Sequence, residues 1–315
     1  SARAADVKLY GILDTGVGYS HIDMDTSGVD DVDSFEMKSG VGSGSRWGLK
    51  GTEDLGNGLT VGFILENGFD SDDGSEDSTG VMFNRESSLF LEGSFGKLAF
   101  GRMGALNSGQ SSWSKVGMIN AFGTSYGEFT AQASNVFSLA GQWDNMIAYE
   151  TPDFAGFKLF AQYGMGSNDN ENESSSNRFY SLGVTYNNGP FAGYFAVDSI
   201  NYKTAKFSQS EWPNNGDDID DSLTVTLGGS YDFDVVKIYL GAQYFDEVRL
   251  SSLGGPICRA NDVRDLGISG FDLSINDIAK LKGYGISLSG DAPLAGGRVM
   301  FGLGYVDADA ADSLD

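Results

Sequence analysis

The residues of this chain that could act on a small molecule are charges in a repeating pattern. There is one cysteine, Cys258, and one histidine, His21. That leaves almost no room for Cys/His metal sites, Cys–His nucleophiles or a disulfide framework. Serine and carboxylate chemistry stays open. Residues 44–67 say more. Arg46 and Lys50 alternate with Trp47 and Leu49, and Glu66 follows Leu65 on a second strand-like run. Successive side chains of a strand point to opposite faces, so charges share one face and apolar groups the other. The chemistry on offer is a fixed electric field on a wetted wall.

Such a wall needs strands, and the turn Gly56-Asn57-Gly58 joins the first two of them. The alternation recurs along nearly the whole chain. Tyr180, Leu182, Val184 and Tyr186 are set against Ser181, Gly183 and Thr185. Val225, Leu227 and Tyr231 are set against Thr224, Thr226 and Ser230. Val299, Phe301, Leu303 and Tyr305 face away from Arg298. Asp14, on a first strand spanning about 7–20, falls on the water face with Lys8. Thirteen strands can be counted in this way. Tight turns such as Asn188-Gly189 alternate with long polar loops, and aromatic residues mark many strand ends. This is the layout of an outer-membrane barrel, with lipid outside and water inside. A large soluble barrel or sandwich shares the strand repeat.

The 315 residues include 45 glycines and 5 prolines, and no apolar run reaches the length of a spanning helix. A membrane barrel leaves no such run, because each span is about 10 alternating residues. The net charge of −24 argues against nucleic-acid binding. Three acidic clusters, at 23–36, 70–77 and 217–221, lie between strand-like runs and read as solvated loops. The segments 104–142 and 247–280 have no sustained alternation, the second with a short helical piece near Ile275 to Lys280. Ala2-Arg3-Ala4 fits a signal-peptidase site, which leads to the expectation that residues 1–4 are a signal-peptide remnant. Cys258 reads as a free loop thiol and His21 as structural or exposed.

The motifs then align with a known family. Asp6-Val7-Lys8-Leu9-Tyr10-Gly11 and Ser45-Arg46-Trp47-Gly48-Leu49-Lys50-Gly51-Thr52-Glu53-Asp54-Leu55-Gly56-Asn57-Gly58 resemble Gram-negative trimeric porins of the betaproteobacterial and neisserial branch. So do Asn84-Arg85-Glu86-Ser87, Phe95-Gly96-Lys97-Leu98 and Asp144-Asn145-Met146-Ile147-Ala148-Tyr149. The resemblance is dense in the first half and carried by pattern alone in the second. It implies one all-β domain over 1–315, a transmembrane antiparallel barrel of sixteen strands in the outer membrane. It also implies a homotrimer passing ions and small hydrophilic solutes, narrowed by a third loop, here 104–142. A long irregular segment within a domain is usually functional. Thirteen strands against sixteen, and a polar end at Asp315, lead to the expectation that the chain is truncated.

The resemblance also assigns roles. Arg46 and Arg85 match the family's wall arginines, with Lys50, Asp14 and Glu66 beside them on the water face. Glu128 is the one acid between Gly104 and Gln142, which makes it the candidate carboxylate of the inserted loop. A further arginine usual before Asp144 is replaced by Gln142-Trp143, which weakens the basis for anion preference. Arg102 shares parity with Leu98 and Phe100 and is expected at a subunit interface, with Glu76 or Asp77 as a latch onto a neighbour. No catalytic group, cofactor or dedicated metal site is expected. The acidic loops could hold a weak Ca²⁺/Mg²⁺ cloud bridging to lipopolysaccharide phosphates. The sequence also admits a substrate-selective porin, a barrel adhesin or surface enzyme, and a secreted all-β protein.

Overall fold

Alternating side chains build one large antiparallel sheet. The computed structural model describes residues 6–22, 32–122, 136–166, 177–202, 220–249 and 280–311. The first strands are β1 (Asp6–Ile12), β2 (Thr15–Ile22), β3 (Val32–Ser39), β4 (Arg46–Gly56) and β5 (Leu59–Gly68). They are followed by β6 (Glu86–Gly93), β7 (Gly96–Gly104), β8 (Gln142–Glu150), β9 (Phe157–Gly164) and β10 (Arg178–Asn188). The last are β11 (Phe191–Asn201), β12 (Ser222–Asp232), β13 (Lys237–Arg249), β14 (Lys280–Leu294) and β15 (Gly297–Ala310). The main sheet has 13 strands in the order β1, β4 and then β5 through β15, and β2 pairs with β3 in a separate two-stranded sheet. From β4 onward each strand pairs with the next, antiparallel throughout.

The two faces carry opposite chemistry. On β12, Thr224, Thr226 and Ser230 are buried, whereas Leu227 is 60% exposed. On β14 and β15, Ser287 and Ser289 are fully buried while Leu303 is 73% exposed. Polar groups inside and apolar groups outside invert a soluble sheet and suit a wall with lipid on its outer face. Short turns gather at one rim. There Phe157 lies 4.3 Å from Tyr186, Tyr186 lies 6.1 Å from Phe191, and Tyr231 lies 4.6 Å from Phe233, ring to ring. Tyr163 and Tyr180, 5.3 Å apart, and Tyr284 and Tyr305, 6.1 Å apart, lie toward the long-loop rim. Two aromatic bands on an apolar face match the interfaces of a bilayer. The fold is a transmembrane β-barrel.

Several boundaries differ from the sequence reading. The first strand is broken at Leu13-Asp14 into β1 and β2. Asp14 Oδ2 accepts hydrogen bonds from the Gly42 and Ser43 amides at 3.1 and 2.9 Å, which turns the chain out of the main sheet. The acidic stretch at 23–36 is not all loop. Asp33 and Glu36 lie on β3, where Asp33 accepts from Tyr19 Oη at 2.6 Å and Glu36 sits 2.5 Å from Lys38. Partners on the same or the facing strand make these acids compatible with a strand. Arg85 precedes β6 rather than lying on it, and Pro293 belongs to β14. β13 runs on to Arg249 and β14 starts at Lys280, so both ends of the expected 247–280 loop are strand. Residues 1–4, Glu128, Cys258 and the stretch before Lys280 fall outside the described residues.

The apolar core lies on the inner face, against the segment between β7 and β8. Ala105, Leu106, Trp113, Val116, Ile119, Val136 and Phe137 come from that segment, and Phe90, Met103, Met146, Phe160, Phe179 and Tyr194 from the wall. A 3₁₀ turn lies within it at Val116–Met118. The wall opposite is notched with glycine. A Cβ on Gly183 would meet Leu106 at 2.5 Å, one on Gly304 would meet Val136 at 2.5 Å, and one on Gly285 would overlap the Val136 carbonyl. The segment therefore sits against the strands at backbone distance.

Candidate functional site

The charged wall centres on Glu66 of β5. Arg85 Nε donates to Glu66 Oε1 at 2.7 Å, and Tyr10 Oη donates to Oε2 at 2.8 Å. Arg46 Nε lies 3.7 Å from the same Oε2. Register explains the convergence. Tyr10 pairs with Gly48 across β1 and β4, and Gly48 pairs with Glu66 across β4 and β5. All three positions point to the inner face. Gly48 leaves room for the Tyr10 ring, since a Cβ there would meet its Cζ at 2.8 Å. Arg46 also donates to Ser43 Oγ at 3.1 Å and to the Gly44 carbonyl at 3.0 Å. Lys50 Nζ stands 4.8 Å from the centre of the Tyr10 ring, within cation–π range.

The expected site residues therefore separate into groups. Arg46, Arg85, Lys50 and Glu66 come together. Asp14 is bound to the backbone of residues 42 and 43 and reaches the cluster through Ser43. Glu128 lies outside the described residues. Arg102 shares a face with Phe100, and its Nη1 sits 2.5 Å from Asp144 Oδ1 while its Nε donates to the Asn84 carbonyl at 2.8 Å. Glu76 accepts from the Gly80 amide at 3.0 Å, and Asp77 accepts from Asn84 Nδ2 at 2.7 Å. Both acids thus hold their own loop, residues 69–85.

In that loop burial raises the Asp70 carboxyl, with Asp77 adding to it, whereas the Ser75 amide holds Asp73 low. Among the described residues no three acids converge on one point that could hold a metal ion.

The inner face also carries a residue that parity alone does not single out. Glu86 of β6 stands directly opposite Glu66 in the register. It is buried and accepts from Ser112 N at 2.9 Å, Ser112 Oγ at 3.0 Å, Ser111 Oγ at 3.1 Å and Ser88 Oγ at 2.8 Å. Two of these donors' residues belong to the segment between β7 and β8, so Glu86 ties that segment to the wall. Further ties follow around the sheet. Gln162 of β9 accepts from Leu106 N at 3.0 Å, and Asn107 takes a 2.7 Å bond from Tyr194 and donates to Asp198 and Thr226. Gln243 of β13 accepts from Ser138 N at 2.6 Å. Asn120 and Ala121 donate to Ser287 and Ser289 of β14, both at 2.9 Å. One connecting segment thus bonds to side chains of β6, β9, β11, β12, β13 and β14. The signal available in sequence is the run of Ser, Thr, Gln and Asn on inward positions.

Where the sequence lacks an arginine before Asp144, the wall is aromatic. Trp143 stacks on Phe179 at 5.0 Å and donates to the Ala140 carbonyl at 2.9 Å.

Comparisons with known proteins agree with this geometry. The family model described as Gram-negative porin matches residues 1–315. An outer membrane porin protein of Bordetella pertussis is 33% identical over 315 residues, covering 94% of this chain and 78% of that protein. A major outer membrane protein P.IB of Neisseria gonorrhoeae is 30% identical, covering 81% of this chain and 70% of that protein. Among solved structures, an anion-selective porin from Comamonas acidovorans superposes with a TM-score of 0.63 at 24% identity, covering 99% of this chain and 80% of that one. An inside-out sheet, a charged inner wall and a family match over the whole chain lead to one conclusion: the chain belongs to the Gram-negative porins, channels of the bacterial outer membrane.

Proposed function

We propose that the chain is a general diffusion porin whose pore is narrowed by the segment between β7 and β8, and whose ion preference is set beside that segment by Arg46, Arg85, Lys50 and Glu66. One observation carries the reading: the segment is hydrogen-bonded across the inner face from β6 to β14. A segment held at so many points has a fixed position, which a sieve needs. Fixed charges on one side of it then act on every ion that passes.

The preference expected is weak. Glu66 sits against both arginines and cancels one of their two charges. Lys50 adds a positive charge that stays exposed. A wall of this kind screens solutes by size first and by charge second. Passive passage of small hydrophilic solutes requires no reacting group, and the family is one of channels.

We place the outer face around Arg102 at the contact between three copies of the chain. An Arg102–Asp144 pair on the outer face costs less against protein than against lipid. Trp47 and Phe83, with ring centres 6.4 Å apart, extend the same outer face toward the loop that carries Glu76 and Asp77.

The test is planar-bilayer conductance of the purified protein. Three equal steps per insertion and a small reversal potential in a salt gradient are expected. Correctly folded protein that forms no channels would sink the reading.

A further inference from the structure

A second charged cluster lies on the other side of the inserted segment. The Glu66 group lies toward the long-loop rim, because Arg46 opens β4 and Glu66 stands near the end of β5. At the short-turn rim, inward positions form a row across four strands. Glu92 pairs with Lys97, Lys97 with Glu150, and Glu150 with Phe160. Lys158, two residues before Phe160 and on the same face, is bonded to Glu150 Oε1 at 2.5 Å. Lys115 reaches the row from the inserted segment, with its Nζ 4.8 Å from the Phe160 ring centre. Lys97 Nζ lies 4.3 Å from the Phe90 ring centre and 5.3 Å from that of Trp113.

Charge and packing here do not match a mere structural ion pair. Three ammonium groups lie near Glu150, with Glu92 and Asp153 acting on Lys158 more weakly, and Lys158 takes the Glu150 hydrogen bond. Neither Lys97 nor Lys115 forms an ion pair among the described residues. Both are instead set over aromatic faces, which hold a cation without consuming its donors. The Trp113 indole below Lys97 has its Nε1 buried with no acceptor. Burial pushes the Lys115 ammonium down to about 8, against the pull of Glu150. Lysine is a compact point charge with three donors and serves phosphate groups in that role.

We infer that Lys97, Lys115 and Lys158 form a binding station for small multivalent oxyanions of the phosphate class, on the short-turn side of the inserted segment. The station rests on the pore reading, since a solute reaches it through the lumen. It differs in kind from the Glu66 wall. There a carboxylate cancels one of two fixed guanidinium charges, whereas here two lysines keep their donors for a passing solute. An oxyanion that has passed the inserted segment next meets this row.

The test is the KCl current of the reconstituted protein, titrated with potassium phosphate and, in a parallel arm, with glycerol phosphate. Inorganic phosphate alone reducing the current would make free phosphate the solute, and both doing so would widen it to phosphate esters. A saturable reduction of chloride current is expected with either outcome. The double variant Lys97→Gln/Lys115→Gln should weaken it about tenfold or more. Glu150→Gln should strengthen it several-fold, because it frees Lys158; a purely structural role for Glu150 predicts no gain. Channels that conduct chloride without a saturable phosphate effect would overturn the station and leave the pore intact. An unchanged affinity in the double variant, or a loss in Glu150→Gln, would overturn it as well. Absence of any channel would instead strike the pore reading itself.

Discussion

Glu66 and Glu86 face each other directly across β5 and β6, yet the two carboxylates serve different ends. Glu66 gathers Arg46, Arg85 and Tyr10 on the wall. Glu86 gathers the amide and hydroxyls of the inserted segment. Like charges opposite one another in a sheet repel. Here the repulsion is offset because one partner has two guanidinium groups and the other accepts four hydrogen bonds. The field of the pore and the position of its sieve are thus set by adjacent residues.

Glu86→Ala should loosen the sieve while leaving the barrel folded. It strands the Ser112 amide and the hydroxyls of Ser88, Ser111 and Ser112, and an unpaired buried donor such as that of Ser88 costs about 1–3 kcal/mol. Glu86→Gln keeps one acceptor oxygen and should lie between the two. Single-channel records are the readout: Glu86→Ala should show a noisier open level than the parent, with normal heat-modifiable mobility on gels. A quiet, unchanged open level would show that the other ties suffice.

Glu66→Gln tests the field. Removing the carboxylate charge leaves Arg46 and Arg85 uncompensated, so the pore should turn toward anions. The reversal potential in a KCl gradient should move in the anion direction, and Arg46→Gln should move it back. Both effects should shrink at high salt, where the screening length falls to about 3 Å at 1 M. A reversal potential that does not respond to Glu66→Gln would remove this cluster from the ion path.

Much of this architecture is legible in the amino-acid sequence. The outer faces of β10, β12 and β15 follow from strict alternation, because lipid outside and water inside leave no freedom of register. Arg46, Lys50 and Glu66 are readable together because two adjacent strands and a tight turn fix their register. Glu86 is not, since its partners Ser111 and Ser112 sit in a segment without periodicity. The break at Asp14 is hidden for a similar reason. A single carboxylate binding the amides of residues 42 and 43 leaves no trace in hydropathy. The three lysines escape a strand-by-strand reading because they converge only when a loop residue is laid against two strands.

Leu182→Arg probes the lipid face. Leu182 is 66% exposed and lies midway along β10, opposite Val197 on β11 and Ala161 on β9. An arginine near the middle of a bilayer costs about 2–4 kcal/mol on a barrel. Folding into vesicles monitored by gel mobility should show a loss of that size. Ser181, the preceding residue, points inward and is buried. Leu182→Phe, which keeps the surface apolar, should be close to neutral.

Arg102→Ala addresses assembly. If the outer face near Arg102 and Asp144 is a subunit contact, removing the guanidinium leaves Asp144 unpaired there. The oligomer band should then dissociate at a lower temperature in detergent, and Asp144→Asn should act the same way. An oligomer that survives heating as the parent does would move the interface elsewhere on the sheet.

The lysine row carries a pH signature that the arginine wall lacks. Lys115 loses its proton near 8 instead of the ordinary 10.5, since burial disfavours the charged form and Lys97 and Lys158 reinforce this against the pull of Glu150. Its charge is therefore held at low pH and lost as pH rises through about 8. Sulfate keeps its double charge over that range, so its block of the chloride current should weaken as pH rises from about one unit below that value to one unit above. Arginines stay protonated throughout, so the reversal potential set by Arg46 and Arg85 should hold steady across the same interval. Lys115→Gln should abolish the change in sulfate block. If sulfate block fell equally in parent and variant, Lys115 would not be the titrating group.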